Sequence, residues 1–332
     1  MQELSALSGG HGPVAIRRNA NQALRGRRLD VSFASRLHAY EDVLAEQESR
    51  AVAEEQDLQF LRARLARVQT AFHGQRLVPV FQPIVDLRTR TTSGCEALSR
   101  FQLEPLRPPD QWFAEAEAAG LGLELEMHAI RSAVESRYRL PSDAYLSVNA
   151  SPKTLLSQDF ATMVSNLDGE LLVVEVTEHS AVEDYDALKR AIDRLRSRGV
   201  RLAIDDLGTG FASFMHIVKL LPEFMKLDLS LTREIERDPV KQALTAALVG
   251  FAAQIGAHLI AEGVETVEEL RTLIGLGVEY AQGYYLGAPA PLPRRGVTER
   301  CLSVVDAAPS CGQVFIHSRE LEARPASKEP AA

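Results

Sequence analysis

The chain has little of what marks a secreted, membrane or nucleic-acid-coating protein. Three cysteines stand in 332 residues, Cys95, Cys301 and Cys311, so any disulfide scheme leaves one over. None has the spacing of a zinc ligand set, and the usage reads as that of a reducing, cytoplasmic compartment. Arg17, Arg18, Arg25, Arg27 and Arg28 cluster early, but no apolar run follows them, so no signal peptide is expected. The most apolar stretch, 243–261, holds Thr245, Gln254, His258 and two glycines. It reads as a buried helix followed by a buried strand, not as a membrane span. A net charge of −8 disfavours a broad grip on a nucleic acid polymer. No G-x-G-x-x-G or P-loop follows any candidate strand, which argues against the common glycine-rich nucleotide sites. What remains, 45% hydrophobic and 25% charged, is an ordinary globular composition, long enough for one large domain with appendages or two modest ones.

Four regions follow from the patterning. Residues 1–34 are polar, Arg-rich and aperiodic, which predicts a mobile tail. Over 35–73 Leu37, Leu44, Ala51, Leu58, Leu65 and Phe72 recur every seventh residue, with Tyr40, Gln47, Glu54, Leu61 and Val68 between them. This is a helix, either a dimerising or signal-carrying coiled coil or an amphipathic helix lying on the next domain. From 74 to 306 short β-branched runs alternate with helical runs, and 307–332 reads as a tail with one possible short strand at 313–317. Candidate strands are 78–84, 94–98, 145–149, 171–176, 200–205, 224–228, 257–261 and 278–281. Asp238-Pro239 starts a helix that Gly256 stops, and Thr266 with Glu269 forms a capping-box pair before a helix closed by Gly277. Such alternation predicts an α/β fold with a parallel sheet and helices outside. Eight strands suggest a closed barrel, with an open doubly wound sheet as the other arrangement.

Polar residues fall at the strand ends. Glu96, Asn149, Glu175, Asp205, Asp206, Lys226, Asp228, Glu262 and Gln282 each end or follow a candidate strand, and in a parallel barrel those ends share one rim. A ring of carboxylates needs positive charge inside it. Glu96, Asn149, Glu175 and Asp205, with Asp206 adjacent, offer hard oxygen donors suited to Mg²⁺ or Mn²⁺ and not to zinc. Two adjacent aspartates can serve a pair of metals about 3.5–4 Å apart, which activates water against a phosphoester. In that chemistry Lys226 stabilises negative charge or orients the water, and Glu262 takes its proton. The bland reading of a single acid after a strand is a helix N-cap, and it applies first to Asp228 and to Glu178. His179, His216 and His258 read as structural or surface residues, and Cys95 as a small buried side chain.

The residues now assembled carry a resemblance. Phe81-Gln82-Pro83-Ile84, Glu96-Ala97-Leu98-Ser99-Arg100, Asn149 in Val-Asn-Ala-Ser, Glu175-Val-Thr-Glu178, Asp205-Asp206-Leu-Gly-Thr-Gly, Lys226-Leu-Asp228, Glu262-Gly-Val-Glu265 and Gln282-Gly-Tyr284 follow one another in order. Together they resemble the EAL-domain cyclic di-GMP phosphodiesterases over about residues 74–300. The resemblance implies a (β/α)8 TIM-like barrel with one antiparallel strand, here preceded by an N-terminal helix. It implies hydrolysis of cyclic di-GMP to linear 5′-pGpG with two Mg²⁺ or Mn²⁺ ions. Glu96, Asn149, Glu175 and Asp205 would hold one metal, and Asp205 and Asp206 would serve the second. Lys226 would orient water and Glu262 would act as general base. Gln82, Arg100, Gln282 and Asp228 would meet substrate, Glu265 would support the site with Gln282, and Glu178 would anchor a regulatory loop over 206–214 that links the metals to a dimer interface. Three departures stand out: Leu207 where phenylalanine is usual, Phe211-Ala212-Ser213 in place of a Tyr-Ser-Ser run, and Phe101 where tryptophan is common. No diguanylate cyclase signature occurs. A homodimer, with a regulatory protein partner reached through the N-terminal helix, is the expected assembly. The competing expectation is a cyclic di-GMP receptor that binds without efficient cleavage, which would show a lost metal or base position; none is lost.

Overall fold

A computed structural model describes residues 31–73, 76–167, 171–177, 182–208 and 212–292. Eight strands close into a barrel in sequential order. They are β1 Leu77–Asp86, β2 Thr91–Phe101, β3 Tyr145–Asn149, β4 Leu172–Thr177, β5 Arg201–Leu207, β6 Phe224–Leu227, β7 His258–Ala261 and β8 Tyr280–Ala281. β1 runs antiparallel to both β2 and β8, and every other neighbouring pair is parallel. The barrel therefore has the predicted form, with its one reversed strand first. The open sheet is excluded.

The reversal is built locally. Asp86 Oδ1 accepts from the amides of Arg88 and Thr89, both at 2.8 Å, and Arg90 takes a left-handed φ of 61°. An aspartate that folds the chain over its own side chain makes a tight turn, so β1 and β2 leave it as a hairpin. Each later strand is reached through a helical crossover, which forces the parallel order. The crossovers keep the boundaries expected of them. Asp238 Oδ1 accepts from Val240 and Lys241 to start the helix Pro239–Ile255, and Gly256 ends it at φ 74°. Thr266 and Glu269 form the reciprocal capping box of the helix Val267–Gly275.

Two apolar layers result from the two-residue period of the strands. Outward residues such as Val174, Val176, Leu202, Ile204 and Met225 belong to the large cluster shared with the helices. Inward residues Ile84, Tyr145, Val173, Ala203, Phe224 and Ile260 fill the barrel interior as a separate cluster. Gly94 belongs to the same level: a Cβ there would lie 2.5 Å from the Tyr145 ring, so only glycine leaves the ring its place. This apolar plug is the floor on which the polar residues stand.

The N-terminal helix runs Val31–Thr70. The chain divides after residue 67 into two units. Within the second, Val68 and Ala71 pack with Leu77, Phe101, Leu103, Trp112, Ala116 and Leu125. Phe101 stacks on Trp112 with ring centroids 5.4 Å apart, so this departure from the family pattern fills a packing position. Residues 1–30 of the expected tail, the segment 307–332 with its possible strand, Cys301, Cys311, Glu178, His179 and Phe211 lie outside the described residues. No described helix is long and apolar enough to cross a membrane.

Candidate metal-binding active site

One step up each strand from the apolar plug, the interior turns polar. Two residues beyond Tyr145 comes Ser147, beyond Val173 comes Glu175, beyond Ala203 Asp205, beyond Phe224 Lys226, beyond Ile260 Glu262, and beyond Tyr280 Gln282. β1 runs the other way, so Gln82 lies two residues before Ile84, paired across the ladder with Glu96. The period that builds the plug thus also builds the site.

Lys226 stands at the centre and is 1% exposed. Its Nζ lies 2.6 Å from Glu175 Oε2, 2.7 Å from Glu262 Oε1, 3.2 Å from Glu96 Oε2 and 3.3 Å from Asp205 Oδ1. Neutral donors complete the set. Asn149 Nδ2 donates to Glu96 Oε1 at 3.0 Å, and Gln282 Nε2 donates to Glu96 Oε2 at 2.8 Å and Glu262 Oε1 at 3.0 Å. Ser147 Oγ donates to Glu175 Oε1 at 2.5 Å.

Asp205 and Asp206 are neighbours on one strand, and plain alternation would send their carboxylates to opposite faces. A bulge prevents this. Ile204 pairs with Met225 and Leu207 with Leu227, so β5 carries one residue more than β6 across that interval. Asp206 absorbs it at φ 61°, and its amide donates to Asp205 Oδ1 at 2.9 Å. A left-handed non-glycine residue costs of order 1–3 kcal/mol and persists where the surroundings impose it. The result is that Asp205, Asp206 and Glu262 each place an oxygen within 4.8 Å of the others, while Glu96, Glu175 and Asp205 form a second such group. Asp205 belongs to both groups.

The charges do not balance by themselves. Among the described residues, five carboxylates share the site with one ammonium. Fully ionised they would leave a formal charge of minus four, which two divalent cations cancel. Without such cations protons must do part of the work, and the acids divide accordingly. Burial, with the charge of Glu96, pushes Glu175 well above the ordinary carboxylate range against the pull of Lys226. Burial, joined by Asp205 and Glu96, pushes Glu262 up to about 8, again against Lys226. Burial also opposes ionisation of Glu96, but Lys226 and hydrogen bonds from Gln282, Lys226 and Asn149 outweigh it and hold that carboxyl below its usual value. Lys226 is driven upward: burial works against its charge, and Asp205, Glu175, Glu262 and Glu96 overcome it. A cluster of buried and half-buried oxygen donors with excess negative charge, and with no histidine or cysteine in either group, fits hard divalent cations.

The site expectations separate under this geometry. Glu96, Asn149, Glu175, Asp205, Asp206, Lys226, Glu262 and Gln282 converge. Gln82 lies opposite Glu96 and donates to the Gly287 carbonyl at 3.2 Å. Three others make contacts of their own. Arg100 is exposed and donates to the Ser99 carbonyl at 2.9 Å. Asp228 caps the helix Leu229–Thr232, accepting from Ser230 N at 2.8 Å, which is the bland role considered for it. Glu265 is paired with Arg233 at 2.6 Å on the surface. His216 is buried with Nδ1 2.9 Å from the Tyr185 hydroxyl, and His258 is paired with Glu279. Cys95 is buried, and burial pushes its thiol up to about 12. Ser147 was missed, although its place two residues before Asn149 on the same inward face marks it. Glu269 holds more than its capping box: it accepts from the amides of Glu234, Glu265 and Thr266, tying down the chain beyond Glu262.

The EAL domain family model matches residues 65–289. Cyclic di-GMP phosphodiesterase PdeL of Escherichia coli is 28% identical over 236 residues, 68% of this chain and 65% of that protein. Probable cyclic di-GMP phosphodiesterase PdeN of the same organism is 29% identical over 249 residues, 71% of this chain and 48% of that protein. The chain thus spans about half to two thirds of the length of these curated relatives. Among solved structures, a complex of the PaMucR phosphodiesterase with c-di-GMP superposes with a TM-score of 0.62 at 29% identity, covering 69% of this chain and 98% of that one. A manganese and cyclic di-GMP complex of Klebsiella pneumoniae BlrP1 gives 0.59 at 28% identity, over 65% and 57%. The family match takes in the whole barrel and every residue that converges in it, and the chain belongs to the EAL domain family.

Proposed function

We propose that this chain hydrolyses cyclic di-GMP to linear 5′-pGpG with two divalent cations, Mg²⁺ or Mn²⁺. The observation that carries the reading is the convergence of Glu96, Glu175, Asp205, Asp206 and Glu262 around Lys226 at one level of the barrel, with Asp205 common to two ligand groups. The phosphodiesterase names of the relatives and the cyclic di-GMP in the neighbouring complexes support the choice of substrate.

Glu96, Asn149, Glu175 and Asp205 would hold one cation, and Asp205 with Asp206 would hold the second. Bound cations supply Lewis acidity at a phosphoryl oxygen and lower the pKa of water. Glu262 is the group placed to take the proton from the attacking water, and Gln282 fixes its orientation. Lys226 stabilises negative charge as the P–O3′ bond breaks. The linear product keeps a 5′-phosphate and gains a 3′-hydroxyl. Arg100, at the end of β2, offers a fork-shaped donor suited to a substrate phosphate, and Gln82 a side-chain amide. Assembly as a homodimer, with the N-terminal helix as the route for a regulatory partner, belongs to the same reading.

Purified protein with Mg²⁺ or Mn²⁺ should convert cyclic di-GMP to 5′-pGpG, and EDTA should stop it. Glu96→Ala should abolish turnover through lost metal affinity, whereas Glu262→Gln should bind the dinucleotide and lose rate. Tight binding with no turnover under either metal would reject the enzyme in favour of a receptor.

A further inference from the structure

Residues 40–65 of the N-terminal helix carry an apolar seam. Tyr40, Leu58, Leu61 and Leu65 are 62%, 41%, 48% and 36% exposed. With Leu44 and Ala51 they occupy the first and fourth places of nearly four heptads, and only Gln47 and Glu54 interrupt them. In proteins most helical stability comes from packing an apolar face and not from propensity, so a seam of this kind calls for a partner. The flanking charges show what packs on it. In a parallel two-stranded coil each residue just before an apolar first position faces the residue five places on in the other helix. That rule sets Arg50 against Glu55 and Asp57 against Arg62, each pair formed twice by symmetry, while Val43 meets Glu48. Every charged pair so formed is attractive. Arg50 already pairs with Glu46 on its own helix at 2.6 Å, and its fork of donors serves two carboxylates.

We propose that residues 40–65 form a parallel, in-register coiled coil with a second copy of this chain. The antiparallel alternative that keeps Leu44 on Leu61 also sets Arg50 opposite Asp57 and Glu41 opposite Arg62. It pays twice, however, with Glu48 against Glu55, and it buries Gln47 against Leu58 with no partner for the amide. In the parallel coil Gln47 meets Gln47 and the two amides bond to each other. Glu54 meets Glu54 in that arrangement, the single layer that opposes it, beside Ala51, whose small side chain leaves that level open to water. The seam stops at Leu65, since Val68 is buried in the barrel's own cluster. This proposal specifies the homodimer of the preceding reading and is independent of catalysis.

Disulfide trapping in the full chain tests it, in a Cys301→Ser/Cys311→Ser background that retains the buried Cys95. Ala51→Cys and Leu58→Cys each sit at a first position, which meets itself only in the parallel coil. Both should give a covalent dimer on mild oxidation. Adding Arg50→Glu should slow trapping by about tenfold at low salt, and Arg50→Glu/Glu55→Arg should restore it. A chain that is dimeric by sedimentation yet untrapped at both positions overturns the coil while leaving the dimer. A mixture of Leu44→Cys and Leu61→Cys chains that traps only as the heterodimer overturns the parallel direction. Failure of turnover would touch neither result.

Discussion

Replacing Lys226 by methionine removes, among the described residues, the one cation that four acids of the barrel share, and keeps most of the side-chain volume. Its Nζ lies between 2.6 and 3.3 Å from Glu175, Glu262, Glu96 and Asp205. Deleting one partner from a buried ionic cluster costs about 3–5 kcal/mol, because the remaining charges are left uncompensated. For a domain of this size each kcal/mol moves the thermal midpoint by roughly 2–4 °C, so Lys226→Met should lower it by about 6–20 °C in EDTA. The deficit should widen with pH. Lys226 titrates above its ordinary value, so its contribution is fully present below about 10.5 and survives throughout the working range. Glu175 and Glu262 titrate above their unfolded values, so they favour the folded state at low pH and cost stability as pH rises toward about 8. Without Lys226 no charged side chain among the described residues of the cluster offsets that rising charge. Excess Mn²⁺ should recover more of the midpoint in the variant than in the native chain, since cations then do the work of the ammonium. Scanning calorimetry at about pH 6 and pH 8, with EDTA and with Mn²⁺, measures all four states. An unchanged midpoint in EDTA, or an equal Mn²⁺ shift in both proteins, would refute the charge argument.

The same acids couple metal uptake to protons. At about pH 7 loading with Mn²⁺ should release protons from both Glu175 and Glu262, and affinity should rise with pH through about 8, where Glu262 ionises; binding heats that do not depend on the buffer's ionisation enthalpy would exclude it. Ser147→Ala removes the hydroxyl that holds Glu175 Oε1 and should weaken Mn²⁺ binding by about 10–100-fold with the fold intact. Unaltered affinity in a metal titration would reduce Ser147 to filler. Gly283→Ala would place a Cβ 2.2 Å from Val264 N and O at a φ of 156°, so thermal melts should show a clear loss of stability, with Gln282 displaced. A native midpoint would mean that the chain relaxes there without cost.

The barrel was legible because its strands are short, bounded and buried on both faces. Tyr145–Asn149 emerges at its expected ends, and the other seven strands differ from expectation by a few residues at one end or both. Boundaries slipped where sterics do not mark them: β2 reaches Phe101 because the hairpin with β1 continues its ladder past Leu98. The polar ring was legible for a related reason. A buried strand that ends in glutamate, lysine or glutamine breaks its own apolar pattern, and a parallel barrel gathers those breaks on one side. Arg100, Asp228 and Glu265 sit within the same motifs, yet each meets a partner only one to thirty-two residues away, the Ser99 carbonyl, the Ser230 amide and the Arg233 guanidinium. Order along the chain does not show these contacts.

The bulge at Asp206 was illegible, and it matters more than any single ligand. Alternation along β5 gives Asp205 to the interior and its neighbour to the helices, so a regular strand could supply one shared carboxylate but not the second group. One extra residue and one left-handed φ turn a row of strand-end acids into two overlapping oxygen sets. The strain there is the local cost of bringing like charges together, and it is tolerable in the folded chain because Lys226 and partial protonation hold the cluster until cations arrive. The features least visible in the residue pattern, a backbone inversion and an ammonium shared by four acids, are therefore the ones that convert a generic barrel rim into overlapping oxygen sets suited to divalent metal.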